Sequence, residues 1–450
     1  MLKTEAAEDT PGVQLGAEPT LPWWFRPVFF IAVPVGMSLG AWILLVVARD
    51  FQPASASLEA LTGFSTPAEV TAQGVALLLI WYVSVISMAT IGWRLGTGSK
   101  PVTRVARLAD NAVFQRRFFL LILTAAAAGI GYAYYLIASS ASILESLSSQ
   151  TGNDLTNSLP GATGPGTLRY ATILAAPIGI YLWRKKVVRW PFMVAAVLLL
   201  ASNSLIASRL SVLMASVVYL AIWARNNYAA RPAQGVGRRL TAAMVILVVG
   251  FGAMTALNYF RNANFYREAG VTDPTAMNLY QMGSYLGAPA QVSIGASGAI
   301  MSGAWQNPGD PVKSFNAVQP TFLQFSKVAK DDSWKGADVY GYSVKFAPQL
   351  FTNSVFADTY ADYGAWGWPY TILIYGLAGY LMARIMRYPG VIAGSGGVLA
   401  YCFAEVWRIQ IVSYGIVIFL LLATAASAWV ATWGLGAEKD QKSGETVNIS

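Results

Sequence analysis

Apolar runs close to 20 residues long, separated by short basic loops, leave this sequence few folds to choose from. A run of that length carries an α-helix across the roughly 30 Å hydrocarbon core of a bilayer. Candidate spans lie at 28–47, 75–95, 118–138, 169–184, 190–207, 210–225, 240–259, 369–386, 390–407 and 411–434. In lipid only helices and closed barrels satisfy every backbone polar group. The pattern therefore predicts an all-α, polytopic transmembrane helix bundle of about ten spans. Composition agrees, with 55% hydrophobic and 12% charged residues, where a soluble domain averages about 25% charged.

Lys and Arg in short loops stay on the cytoplasmic side. Basic clusters fall at Arg94, Lys100, Arg104, Arg107, Arg116 and Arg117, at Arg184, Lys185, Lys186 and Arg189, at Arg225, Arg231, Arg238 and Arg239, and at Arg384 and Arg387. The segments 50–74 and 139–168 contain no basic residue, so they are read as outer loops, with both termini cytoplasmic. From Trp190 to Trp223 the chain is almost continuously apolar, yet basic clusters flank it on both sides. An even number of crossings must separate them. A hairpin is required, its polar tip running from Ser202-Asn203-Ser204 to Ser208-Arg209.

This divides the chain into a polar, mostly acidic tail (1–21) read as disordered and cytoplasmic, a first group of seven spans (22–260), a large extracytoplasmic loop (261–366), a last group of three spans (367–434) and a second cytoplasmic tail (435–450). Loops of that length are usually functional. Its 279–303 stretch predicts a helix that lies in the interface or dips back into the membrane. Its middle is hydrophilic, with Lys327, Lys330, Lys335 and Lys345 beside Asp331, Asp332 and Asp338.

The residue inventory excludes several chemistries. A net charge of +9 would fit a nucleic-acid partner, but the basic residues sit in short clusters between apolar runs, as membrane proteins distribute them, which argues against one. The chain has no histidine, which removes His-based zinc sites, Ser-His triads and imidazole acid–base catalysis. Cys402 is the single cysteine, so no intrachain disulfide forms. Asp331-Asp332 is the closest approach to a compact acidic cluster and lies in a Lys-rich stretch. No metal or cofactor is expected.

On this topology several arginines fall on the outer side, against the charge rule. Arg169 opens the fourth span, Arg209 sits at the hairpin, Arg261 and Arg267 follow the seventh span, and Arg408 joins the ninth and tenth. Arg cannot deprotonate, and its planar fork matches phosphate oxygens. Arg408 has Glu405 three residues earlier and Arg267 has Glu268 beside it, whereas no acid lies near Arg169 or Arg209. A phosphate-bearing lipid headgroup is the natural partner on that face; anchoring and ion pairing are the plainer alternatives.

A second constellation precedes the eighth span: Asn353-Ser-Val-Phe-Ala-Asp358-Thr-Tyr360-Ala-Asp362-Tyr363-Gly-Ala-Trp-Gly-Trp-Pro369. On a helix, Asp358 and Asp362 share one face at i and i+4. A carboxylate there serves as general base, orients a sugar hydroxyl, or balances the arginines. Trp366, Trp368 and Tyr370 suit interfacial anchoring.

Ser208-Arg209 after a polar-ended span, the Asn258-Tyr259-Phe260-Arg261 exit into the large loop, and the stretch from Phe356 to Gly367 together resemble the O-antigen polymerase (Wzy-type) family and related oligosaccharide repeat-unit polymerases. The hydropathy layout is similar over nearly the whole chain. The resemblance implies a GT-C-like, metal-independent glycosyltransferase of the bacterial inner membrane. Its donor would be a growing glycan on undecaprenyl pyrophosphate, its acceptor a sugar hydroxyl on another lipid-linked unit, and a chain-length regulator a possible partner. Arg209, Arg261 and Arg267, with Arg169 and Arg408, would neutralise pyrophosphate. Asp358 or Asp362 would act as base, with Tyr360 and Tyr363 alongside to bind substrate. The sister O-antigen ligases carry an outer-loop His that this chain lacks. The alternatives are a glycosyltransferase using a polyprenyl-monophosphate sugar, or a lipid-linked glycan flippase or exporter. A flippase needs a polar path through the spans, where Glu405 is the main charge.

Overall fold

The computed structural model describes residues 21–51, 69–99, 103–140, 164–207, 210–228, 251–252, 255, 259, 263–264, 266–267, 270–320 and 354–435. Among them all regular structure is helical. The main helices are α1 (Pro27–Phe51), α2 (Ala72–Gly98), α3 (Ala112–Ser140), α4 (Thr172–Arg184), α5 (Trp190–Ala207), α6 (Leu210–Asn227), α7 (Pro274–Met301), α8 (Val355–Tyr363), α9 (Gly367–Met386), α10 (Gly394–Ala404) and α11 (Gly415–Ala431). Tight 3₁₀ turns, Gly164–Ala171 and Gly390–Ala393, lead into α4 and α10. Three helical segments, Pro27–Val47, Ala72–Gly98 and Ala112–Ser139, are long and apolar enough to cross a membrane. Trp190–Ile206, Gly390–Ala404 and Gly415–Ala431 are apolar but shorter.

Basic residues tie many helix termini into one end of the bundle. Trp24 before α1 stacks on Trp223 near the end of α6, with centroids 6.4 Å apart. Asn226 accepts from the Gly390 N–H at 2.7 Å and donates to its carbonyl at 3.1 Å. Arg225 donates to the Arg387 carbonyl at 3.1 Å. Arg387 in turn donates to the carbonyls of Thr97 and Ser99 at the end of α2, and Arg117 reaches the Trp433 carbonyl at 2.7 Å. Cations here meet helix C-terminal carbonyls, which lack intrahelical partners and carry partial negative charge. The same contacts set the directions: α1, α3 and α10 run away from this end, while α2, α6, α9 and α11 run toward it.

Glycines bring α2 and α9 together. A Cβ at Gly92 would sit 1.9 Å from the Gly376 carbonyl oxygen, and one at Gly96 would sit 2.4 Å from that of Tyr380. From the other side, a Cβ at Gly379 would meet the Ala89 oxygen at 2.2 Å. Small residues at this spacing let backbones approach closely, and dispersion then holds helices that lipid does not push together.

The stretch expected as an interfacial or re-entrant helix folds as α7, capped by the Asp273 carboxylate on the Ala276 N–H. Its second half is buried against the two helices that open the bundle. Ser38 donates to the Leu286 carbonyl at 2.6 Å, Trp42 donates to Gln291, and Gly74 lies against the Gly298 backbone. The expected hairpin also appears. Asn203 on α5 donates to Ser211 Oγ on α6 at 3.1 Å. In one straight helix residues eight apart lie about 12 Å apart along the axis, so the chain turns back between them. Ser208 and Arg209 themselves lie outside the described residues.

Candidate functional site

At the end opposite the basic clusters, α8 places the two expected carboxylates. The Ser354 hydroxyl caps it by accepting from the Ala357 N–H. Gly364 ends it at φ 67°, a left-handed conformation that suits glycine. Gly364 packs against Gly309, where a Cβ would lie 2.4 Å from the Gly309 nitrogen. Asn307 locks the pair of segments: its side chain donates to the carbonyls of Tyr360 and Ala361, and its N–H donates to the Tyr360 hydroxyl. Tyr360 is buried between Trp305 and Trp368. Its hydroxyl and ring are thus engaged within the scaffold. Tyr363 offers its carbonyl to Ser314 at 2.6 Å.

Asp358 and Asp362 share one face of α8, and that face meets the connection between α10 and α11. Thr359 donates to Gln410 at 3.2 Å, and Gln410 donates to the Ala317 carbonyl at 2.8 Å. The charges of Asp358, Arg408, Asp362 and Glu405 all act on the phenol of Tyr414, which is exposed. Those groups thus lie near one phenol at this end of the bundle. Glu405 and Arg408 belong to the connection that follows α10 directly.

Asp362 keeps contact with solvent, yet protein crowds most directions around it. The lost solvation pushes its carboxyl up to about 6. It forms no ion pair or side-chain hydrogen bond with the described residues. A carboxylate so placed accepts a proton more readily than an ordinary aspartate.

The arginines divide. Arg408 is buried, donates through Nε to Glu405 at 2.8 Å and forms a 2.8 Å ion pair through Nη2. Its guanidinium lies over the Tyr285 ring, 4.4 Å from the centroid, with Trp407 at 5.8 Å. Its charge is compensated within the fold. Arg169 differs: it is 5% exposed, its guanidinium lies 4.8 Å from the Tyr170 ring centroid, and only Nη2 donates a hydrogen bond, to the Tyr170 hydroxyl at 2.9 Å. Its Nε and Nη1 are buried with no partner. Its position is rigid, since a Cβ at Gly129 of α3 would sit 2.0 Å from the Arg169 nitrogen. Beside it runs a buried chain in which Asn203 donates to Thr172 and Thr172 donates to the Arg169 carbonyl.

Arg267 is exposed and occupied locally, donating to the Tyr259 hydroxyl at 2.7 Å and to Asn264 at 3.1 Å. Its partner Tyr259 packs against a small apolar cluster of Ala263, Tyr266 and Met277, separate from the main core. No described contact joins Arg267 or Arg169 to Arg408. Arg209 and Arg261 lie outside the described residues. Tyr414, Gln410 and the Thr172–Asn203–Ser211 chain were not legible from sequence. Each has an ordinary local context, and only the position of Asn203 at the expected hairpin tip hinted at its role. No group of three or more His, Cys, Asp or Glu with metal-binding geometry occurs among the described residues. Searches of family models, curated proteins and solved structures with this chain return no match.

Proposed function

We propose that this chain is a membrane glycosyltransferase that joins undecaprenyl-pyrophosphate-linked oligosaccharide units into a cell-surface polysaccharide at the outer face of a bacterial inner membrane. The observation that carries this reading is the group of ionisable side chains at the end opposite the basic clusters. There Asp362, a carboxylate of raised proton affinity with no ion pair among the described residues, acts on Tyr414 together with Asp358, Arg408 and Glu405.

In the proposed reaction the acceptor hydroxyl oxygen bonds to the donor's anomeric carbon as the bond from that carbon to the phosphate oxygen breaks. The hydroxyl proton passes to Asp362, a general base held near the operating pH. Negative charge develops on the departing polyprenyl pyrophosphate, and fixed guanidinium donors stabilise it without reorganising. Arg169 supports that role with two uncommitted donors. Arg209 and Arg261 are proposed beside it on the sequence resemblance. Arg408 is reassigned to a structural role in its buried pair with Glu405. Of the three expected outer arginines that are described, Arg169 alone has idle donors, which also suits a single phosphate and keeps a polyprenyl-monophosphate donor as the second reading.

The test uses purified protein in vesicles with lipid-linked repeat units. Elongated glycans with release of polyprenyl pyrophosphate are expected. Movement of lipid-linked glycan between leaflets with no elongation would overturn the proposal in favour of a flippase.

A further inference from the structure

Between α7 and α8 the chain makes a short helix, Pro311–Ser314, followed by a 3₁₀ turn, Phe315–Val318. Its polarity is inverted relative to a soluble surface element. Ser314 and Ala317 face inward and are buried, holding the Tyr363 carbonyl and the Gln410 side chain. Val312 and Phe315 face outward, 82% and 50% exposed. A soluble protein gains nothing by presenting such side chains to water.

We propose that Pro311–Val318 is an interfacial foot, its Val312 and Phe315 side chains seated among the upper acyl chains of the adjacent leaflet and its inner face tying the end of α8 and Gln410 to that plane. The occupant is lipid because the patch continues the exposed face of a helix in the membrane-crossing layer. Phe315 meets the Tyr370 ring at 5.6 Å. From there the exposed surface passes through Trp366 at 48% to Leu373 and Leu377 of α9, and α9 packs along α2, a helix long and apolar enough to cross. Exposed Lys313 sits between the two apolar side chains, where a cation meets lipid phosphates. Aromatic side chains at this depth are the normal composition of a membrane boundary. The foot holds Tyr363, the neighbour of Asp362, so it would keep the end of α8 at the level of the lipid headgroups. The foot requires only a bilayer around α9, and its test is independent of any transferase activity.

The experiment places an environment-sensitive fluorophore at Val312→Cys, and separately at Phe315→Cys, in a Cys402→Ser background. The protein is reconstituted in phosphatidylcholine vesicles brominated at the upper acyl carbons. Loss of emission with brominated lipid and little loss with aqueous iodide is the expected result. Quenching by iodide alone places the foot in water and overturns the proposal. Protection from both quenchers means that protein covers the patch, a second copy or another part of this chain, and overturns it equally. Agreement between the two positions guards against one variant that misfolds.

Discussion

Arg408 Nε donates to Glu405 at 2.8 Å, and both side chains are almost wholly removed from solvent. Two charges in such a place stabilise little together, because desolvation offsets most of their attraction. Either one alone is costly.

Glu405→Gln therefore leaves a buried, uncompensated guanidinium, and the expected loss is about 3 kcal/mol or more. Arg408→Met alone should cost a similar amount. The double variant Glu405→Gln/Arg408→Met should recover most of it. Chemical unfolding in detergent measures all three. Additive losses would show that the pair does not act as a unit.

Arg169 has the opposite signature. Arg169→Met removes a buried cation with two idle donors, so thermal stability should hold or rise. Under the proposed function, long glycans should vanish while short lipid-linked repeats accumulate. Normal chain length at normal protein level would remove Arg169 from the phosphate site.

For the base, Asp362→Asn should lower turnover by about 10²- to 10⁴-fold, with Asp358→Asn affecting it less. The wild-type rate should rise with pH around a midpoint near 6, the raised value of Asp362, because the ionised form accepts the proton. The same shift sets a stability dependence of opposite sign. A carboxyl whose folded affinity for protons exceeds its unfolded one favours folding at low pH, and that contribution fades as pH rises from about 4 through 6. A rate profile unchanged in Asp362→Asn would place the base elsewhere.

Gly92→Ala should separate α2 from α9, since its Cβ would lie 1.9 Å from a backbone oxygen that cannot rotate away. Gly36→Ala, where nothing lies within 4 Å, is the control and should be near neutral. Thermal melting in detergent compares them, and equal effects would deny the close packing.

The sequence by itself determined the helical class, because apolar runs near 20 residues suit helices, whereas barrel strands need only about 9–11 residues. Its basic clusters also marked helix ends now seen together, with Arg225 bonded to the Arg387 carbonyl and Arg117 to that of Trp433. It placed Asp358 and Asp362 on one helical face by spacing alone. Tertiary structure decided what spacing cannot express. Glu405, three residues before Arg408, was visible as its counter-charge, but how fully each arginine is enclosed depends on side chains that arrive from other helices. Tyr285 of α7 covers Arg408, while nothing described reaches Nε or Nη1 of Arg169. The two arginines look alike in a hydropathy profile, and packing separates their chemistry, because a guanidinium's capacity to bind an anion is set by what already surrounds it.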